Sequence, residues 1–303
     1  MDLSKFHIIT SLTNPVRFKS RYRLYDNWLH HMRQAGIEPW TVEVAFGDRH
    51  FHTCKSNPRN LHLRSHNELW LKENALNLLV QRLPSDWEYV AWIDADVDFL
   101  YPGWLEQAWH QLQHYHVIQM WETAIDMKHH GAVMQTHASF AHCYQNDVIH
   151  NGKYGKYGHP GYGWAYSRDA WNGMGGLPDF AILGAGDHHA AVCLVGRGGE
   201  SVPCGLNPKY KERVLAWQSH ALATIKKDIG YLPTTIRHHW HGKKVDRKYW
   251  DRWQILIKNK FDPDYDLKRD HHGLWQLTDR NLKLRDDIRK YFRQRNEDSI
   301  DSE

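Results

Sequence analysis

The stretch Glu88-Tyr89-Val90-Ala91-Trp92-Ile93-Asp94-Ala95-Asp96-Val97-Asp98 decides the reading of this chain. Tyr89 to Ile93 is an apolar run of strand length, and it ends in carboxylates. Asp94, Asp96 and Asp98 alternate with apolar residues, so in an extended segment they project to one side. Three like charges on one face repel one another unless a cation neutralises them. Hard oxygen donors suit Mg²⁺ or Mn²⁺, and an ion held there would bridge a diphosphate and stabilise its departure. The competing reading is a solvated acidic turn, with Asp98 capping a helix that starts near Pro102.

Upstream, Phe6-His7-Ile8-Ile9-Thr10 predicts a second buried strand, with a turn at Thr13-Asn14-Pro15. Tyr22, Leu24, Tyr25, Trp28, Leu29 and Met32 mark a helix over residues 17–35, closed by Gly36. Trp40 to Phe46 predicts another strand, and Leu69, Leu76, Leu79 and Leu83 a helix over 67–83. This alternation predicts an α/β fold with a mostly parallel, doubly wound, Rossmann-like sheet. Ligands of such sheets bind beyond the carboxyl ends of strands, which is where the acidic cluster falls.

Downstream, residues 140–185 are rich in Gly, Tyr, His and Trp and predict site-forming loops. Leu183-Gly184-Ala185-Gly186-Asp187-His188-His189 then runs into a helical pattern through Ala190, Val192 and Leu194. Asp187 therefore stands at a helix start. It is either an N-cap or a general base in a Gly-permitted turn that a sugar can approach closely. Ile236-Arg237-His238-His239-Trp240-His241-Gly242-Lys243-Lys244 is dense in imidazole and positive charge. Imidazole completes the coordination of an ion such as Mn²⁺, and Arg237, Lys243, Lys244 and Arg247 suit phosphates. The plainer reading is a basic surface loop. Residues 208–227 and 246–258 predict further helices, and the charge density from Asn281 onward marks an extension. One domain over residues 1–280, followed by a charged extension over 281–303, is the expected organisation.

Hydrophobic residues at 41% and charged residues at 24% fit an ordinary globular domain. The net charge of +4 is lower than a dedicated duplex-binding protein concentrates on one face, yet it suits a diphosphate ligand. Most of the 15 Trp and 15 Tyr are expected to fill the core. Cys54, Cys143, Cys193 and Cys204 are far apart and form no CxxC pair, which argues against a zinc cage or disulfide framework. No signal peptide and no membrane-length apolar run is visible, so a cytoplasmic setting is the expectation.

These motifs, in this order, resemble inverting GT-A glycosyltransferases of the β-1,4-galactosyltransferase type, and still more the glycosyltransferase-like proteins of phages. The resemblance runs from about residue 6 to about residue 280. It implies a GT-A nucleotide-sugar-binding fold and, for a phage protein, the host cytoplasm. Asn14-Pro15-Val16-Arg17, with Thr10 before it and Arg21 after it, is similar to the family's first nucleotide loop. Glu43 and Asp48 fall where base or ribose is contacted, and Lys72 to Asn77 where a helix start meets the donor. Asp94-Ala95-Asp96 matches the DxD element, making Asp94 and Asp96 the implied metal carboxylates, with Asp94 also facing the donor. Gly161 to Trp171 resembles the acceptor-side strand and helix, implying Tyr162, Trp164 and His188 as acceptor contacts. Gly184-Ala185-Gly186-Asp187 stands at the acidic catalytic motif, although two histidines follow where the family carries more carboxylates. The segment Ile236 to Lys244 resembles the metal-histidine segment; the matching ligand is His238 or His241, and Lys244 faces the donor.

The expected activity is therefore metal-dependent, inverting sugar transfer from a UDP-sugar to a hydroxyl, with Mn²⁺ or Mg²⁺ as cofactor. The acceptor is a glycan or a hydroxymethylated pyrimidine in phage DNA, met by loops carrying Lys153, Tyr154, Lys156, Tyr157 and His159. A sugar- or nucleic-acid-binding module without catalysis is the alternative. A two-metal nuclease or phosphatase would need more converging carboxylates than the sequence supplies.

Overall fold

The computed structural model describes residues 2–148 and 158–300. The decisive stretch forms β4 of a seven-stranded sheet, ordered β10-β6-β9-β4-β1-β2-β3. These strands are β1 (Phe6–Thr13), β2 (Trp40–Phe46), β3 (Asn60–Ser65), β4 (Tyr89–Ile93), β6 (Val117–Gln119), β9 (Gly163–Ser167) and β10 (Ile229–Tyr231). A second sheet, ordered β5-β11-β7-β8, is built from β5 (Val97–Phe99), β7 (Thr123–Met127), β8 (Val133–Ala138) and β11 (Thr235–His238). A hairpin of β12 (Leu267–Arg269) and β13 (Trp275–Leu277) stands apart from both.

The helices are α1 (Lys19–Gln34), α2 (Lys72–Val80), α3 (Trp104–Gln111), α4 (Phe140–Gln145), α5 (Arg168–Met174), α6 (Gly186–Leu194), α7 (Pro208–Ile225), α8 (Asp251–Lys258) and α9 (Leu282–Gln294). The main sheet is mostly parallel, as β1 pairs in parallel with β2 and β4, and β2 with β3. Parallel strands buried on both faces read as continuous apolar runs, which is why the first strands are legible.

β9 is the exception, pairing antiparallel with both β4 and β6. Its first residues therefore lie beside the carboxyl end of β4, where Asp94 N donates to Tyr162 O at 2.9 Å. The expectation of loops over 140–185 is corrected here, because α4, β9 and α5 all fall inside that range. Gly163-Trp164-Ala165-Tyr166 is buried on both faces, so it shows no alternation to mark it as a strand.

The aromatic excess is largely core: Trp28, Trp104, Trp121 and Trp164 are among the largest fully buried side chains. Residues 281–300, set apart in the sequence by charge, dock through one apolar face of α9. Leu284, Ile288, Tyr291 and Phe292 join the main hydrophobic cluster. Among the described residues, no helix is long and apolar enough to cross a membrane.

Candidate active site

A cavity of about 760 Å³ opens at the carboxyl ends of β1 and β4. Asp94, Asp96, Asp187, Lys72, Tyr162, His188, His238, His241 and Arg21 all line it. The spacing argument for the carboxylates needs correction. Asp94 to Asp96 form a turn between β4 and β5, and the two carboxylates go to different partners. Asp94 accepts an ion-pair hydrogen bond from Lys72 Nζ, and that ammonium also lies 3.9 Å from the Trp92 ring centre. Asp96 faces two histidines instead. Asp98 lies in β5, where it bonds His239 Nε2 at 2.6 Å and caps no helix.

β11 brings the histidines to Asp96. It pairs antiparallel with β5, setting His238 opposite Val97, and His239 N donates to Asp96 O at 2.8 Å. Asp96 Oδ2 then lies 3.8 Å from His238 Nε2 and 3.3 Å from His241 Nε2, and the two imidazole nitrogens are 3.3 Å apart. Ligands on a common ion at about 2.1 Å lie about 3.0–3.4 Å apart for octahedral to tetrahedral angles. The triangle has that size within a few tenths of an ångström. Asp96 Oδ1 is buried with no hydrogen-bond partner, an orphan that a cation would satisfy. The three groups thus fit a divalent ion. Asp94, taken by Lys72, is outside that triangle.

Behind the triangle sits Asp126, which the sequence reading passed over. Parallel pairing of β11 with β7 sets it opposite His238. Its wholly buried carboxylate accepts from His238 Nδ1 (2.9 Å), Tyr162 OH (2.8 Å), His137 Nε2 (2.6 Å) and Lys244 Nζ (2.6 Å). Burial favours the neutral acid, but the bonds from His137, His238 and Lys244 outweigh it and hold the carboxyl far below the usual range. The bond to His238 Nδ1 fixes the tautomer and aims a bare Nε2 at Asp96, as outer partners of metal histidines do. Arg247 Nη2 donates to His241 Nε2 at 2.9 Å, so that nitrogen is unprotonated, and an ion bound in the triangle would take its lone pair from the guanidinium.

Asp187, also in the cavity lining, stands one residue into α6, after a left-handed turn at Gly184 (φ +92°) and Ala185 (φ +83°). Its Oδ1 accepts from His188 N at 2.8 Å. Burial would raise its pKa, but Lys72, His159, the His188 N–H and Arg252 prevail and lower it. A Cβ on Gly161 would stand 2.9 Å from Asp187 Oδ2, so only glycine leaves the carboxylate its place. A Cβ on Gly186 would overlap the carboxyl carbon of Glu73. Buried Glu73 also lines the cavity; burial and the charge of Asp187, against the pull of Lys72, push it up to about 7.

Other expected contacts lie elsewhere. Thr10 is buried and donates to Ile93 O at 2.7 Å, beneath the site. Arg17 and Asp48 are exposed and do not line the cavity. Glu43 is spent on the loop after β2, accepting from His52 N, Thr53 N and Thr53 Oγ1 at 2.7, 2.7 and 2.8 Å. Asn77 braces Leu177 through bonds of 2.9 and 2.8 Å. Trp164 is 2% exposed, its Nε1 donating to Pro160 O at 2.8 Å. Lys153, Tyr154, Lys156 and Tyr157 lie outside the described residues. Among the described residues, Tyr249 and Trp250 line the cavity, and Trp250 is 83% exposed. Arg247, expected to suit phosphates, reaches the cavity, as do Arg252 and Arg295, which no local spacing marked.

No family model and no curated protein matches the chain. Solved structures do resemble it. One is described as a nucleotide-diphospho-sugar transferase from Desulfovibrio desulfuricans G20, at 13% identity and a TM-score of 0.32, covering 95% of this chain and 98% of that one. Another is a mutant Drosophila β1,4-galactosyltransferase 7 in complex with manganese, UDP-Gal and xylobiose. Its identity is 11% and its TM-score 0.36, covering 89% of this chain and 92% of that one. The catalytic domain of the same Drosophila enzyme with xylobiose gives 11% and 0.35, covering 92% and 98%.

Proposed function

We propose that this chain is a metal-dependent glycosyltransferase that takes its sugar from a nucleoside diphosphate sugar, a UDP-sugar, with inversion. The observation that carries the reading is the buried Asp96–His238–His241 triangle, which opens on the same strand-end cavity as Asp187 and the Lys72–Asp94 pair. Two imidazoles and one carboxylate suit Mn²⁺ better than Mg²⁺, which prefers oxygen. The ion, when bound, neutralises the diphosphate leaving group.

Asp187 takes the proton of the acceptor hydroxyl as its oxygen attacks the anomeric carbon. The bond from that carbon to the diphosphate breaks, and the leaving group keeps the electron pair. Lys72, held charged by Asp94, Glu73 and Asp187 against its burial, presents a cation to the donor side. Tyr162 and His188 wall the acceptor side, and the exposed Trp250 ring offers a face for a sugar or a base. A glycan and a hydroxymethylated pyrimidine in DNA are both acceptors of that shape.

The same ligand set also serves non-haem iron oxygenases. Lys72 and the arginines around the cavity suit an anionic donor better than dioxygen. The deciding measurement is release of free UDP from a panel of UDP-sugars, under anaerobic conditions, with Mn²⁺ and with chelator. UDP release with Mn²⁺ alone is expected; full release in excess chelator, or none from any UDP-sugar, would sink the reading.

A further inference from the structure

A second concavity, about 1070 Å³, lies beyond β11, and the buried Leu24 borders both it and the active-site cavity. β11 is the partition. Its alternation buries His238 toward the metal triangle and leaves Arg237, half-buried, on the groove side. α1 contributes Lys19 and Arg23, and the end of β7 with its following turn contributes Lys128 and His129.

None of Lys19, Arg23, Lys128 and Arg237 makes a side-chain ion pair among the described residues. The two carboxylates in the wall are already engaged. Glu297 is bound by Arg21 and Arg295, and Asp298 accepts Lys19 N and Ser20 N at 2.9 and 2.7 Å. Arg237 stands opposite Asp98 in the β11–β5 pairing. Lys19, Arg23 and Lys128 have no carboxylate partner among the described residues, so this face of the concavity carries a positive surplus that an anionic ligand would neutralise.

We propose that this groove binds single-stranded nucleic acid, its cations tracking the phosphates. Aromatic groups favour that polyanion over a sulfated glycan. Trp240 lies in the wall, its ring held by an Nε1 bond to Ser299 O at 2.8 Å, and His129 and His239 lie with it. Cationic grooves with aromatic platforms are how single strands are held without sequence preference. Binding here does not require the transferase reading: UDP release reports on one cavity and strand binding on the other.

The test is fluorescence anisotropy of a labelled oligothymidylate against the full chain over a salt series. Affinity should fall steeply with salt, by a log–log slope of about −0.7 for each phosphate neutralised. Arg23→Glu with Lys128→Glu should raise Kd at least about tenfold and flatten the slope by one to two contacts. Lys209→Glu with Lys211→Glu, an equal charge change on the exposed side of α7, should do neither. Circular dichroism and thermal melting show that the variants fold. Trp240→Leu should weaken the oligonucleotide and leave a heparin oligosaccharide unaffected. The proposal is overturned by a flat salt series, by an Arg23→Glu/Lys128→Glu variant that binds like the Lys209→Glu/Lys211→Glu control, or by heparin binding that matches the oligonucleotide and responds equally to Trp240→Leu.

Discussion

Asp96 and Asp187 line one cavity, and their surroundings suit them to different work. Asp96 has one buried oxygen without a partner and the other facing two imidazoles. Asp96→Ala should abolish Mn²⁺-dependent UDP release while the melting curve stays cooperative; retained turnover would place the ion elsewhere. Asp187 is kept ionised chiefly by Lys72, against its burial, as a base must be. Asp187→Asn keeps its shape and removes its basicity, so kcat should drop by roughly 10²–10⁴-fold with donor affinity little changed. Near-normal turnover would reduce Asp187 to a helix-start residue. Arg17 and Lys72, alike in the sequence motifs, part company here, since only Lys72 reaches the cavity. Calorimetry should show weaker UDP binding for Lys72→Ala and unchanged binding for Arg17→Ala.

At the scale of elements, β11 is the decisive strand. It is four residues long, yet its two registers set His238 against β5 and Asp126 against His238. The Asp126 carboxylate orients His238 without facing the cavity itself. Asp126→Asn retains an acceptor but loses the charge, and should weaken Mn²⁺ binding by about 10–100-fold. A Mn²⁺ titration followed by electron paramagnetic resonance checks this; unaltered affinity would mean the network only supports the fold. Strands this short escape sequence reading because three or four residues display no periodicity. β1, β2 and β4, each five residues or longer and apolar, were legible, as were α1, α7 and α8 within a few residues.

Across the whole molecule, the segment after α9 ties both ends of the chain to the site. Glu297, 1% exposed, binds Arg21 near the start of α1 and Arg295 at the cavity. Burial opposes its charge, but Arg21 and Arg295 prevail and bring its pKa from 4.5 down to about 2. A depressed carboxylate stabilises the fold above its unfolded pKa, and that stability is lost as pH falls through the folded value. Glu297 should thus contribute about 3 kcal/mol at neutral pH, waning between about pH 4.5 and 2. Thermal melting against pH should show that loss, and Glu297→Gln should melt lower at pH 7 with a shallower acid slope. An identical pH profile in the variant would assign the acid loss to other carboxylates.

The order of strands and helices around Tyr89 to Asp96, and with it the α/β class and the edge that carries the site, was determined by the sequence alone. Apolar runs and helical periodicity are local signals, and the site of an open sheet follows from its strand ends. The separation of Asp94 from Asp96, the recruitment of Asp126 and Glu73, and the burial of Trp164 were decided by the tertiary structure. So was the exposure of Trp250 in the cavity lining. Each of these depends on which groups meet across more than twenty residues of chain or on which face of a strand is covered. The charge on a carboxylate and the availability of a ring are properties of that enclosure, which residue identity and spacing do not encode.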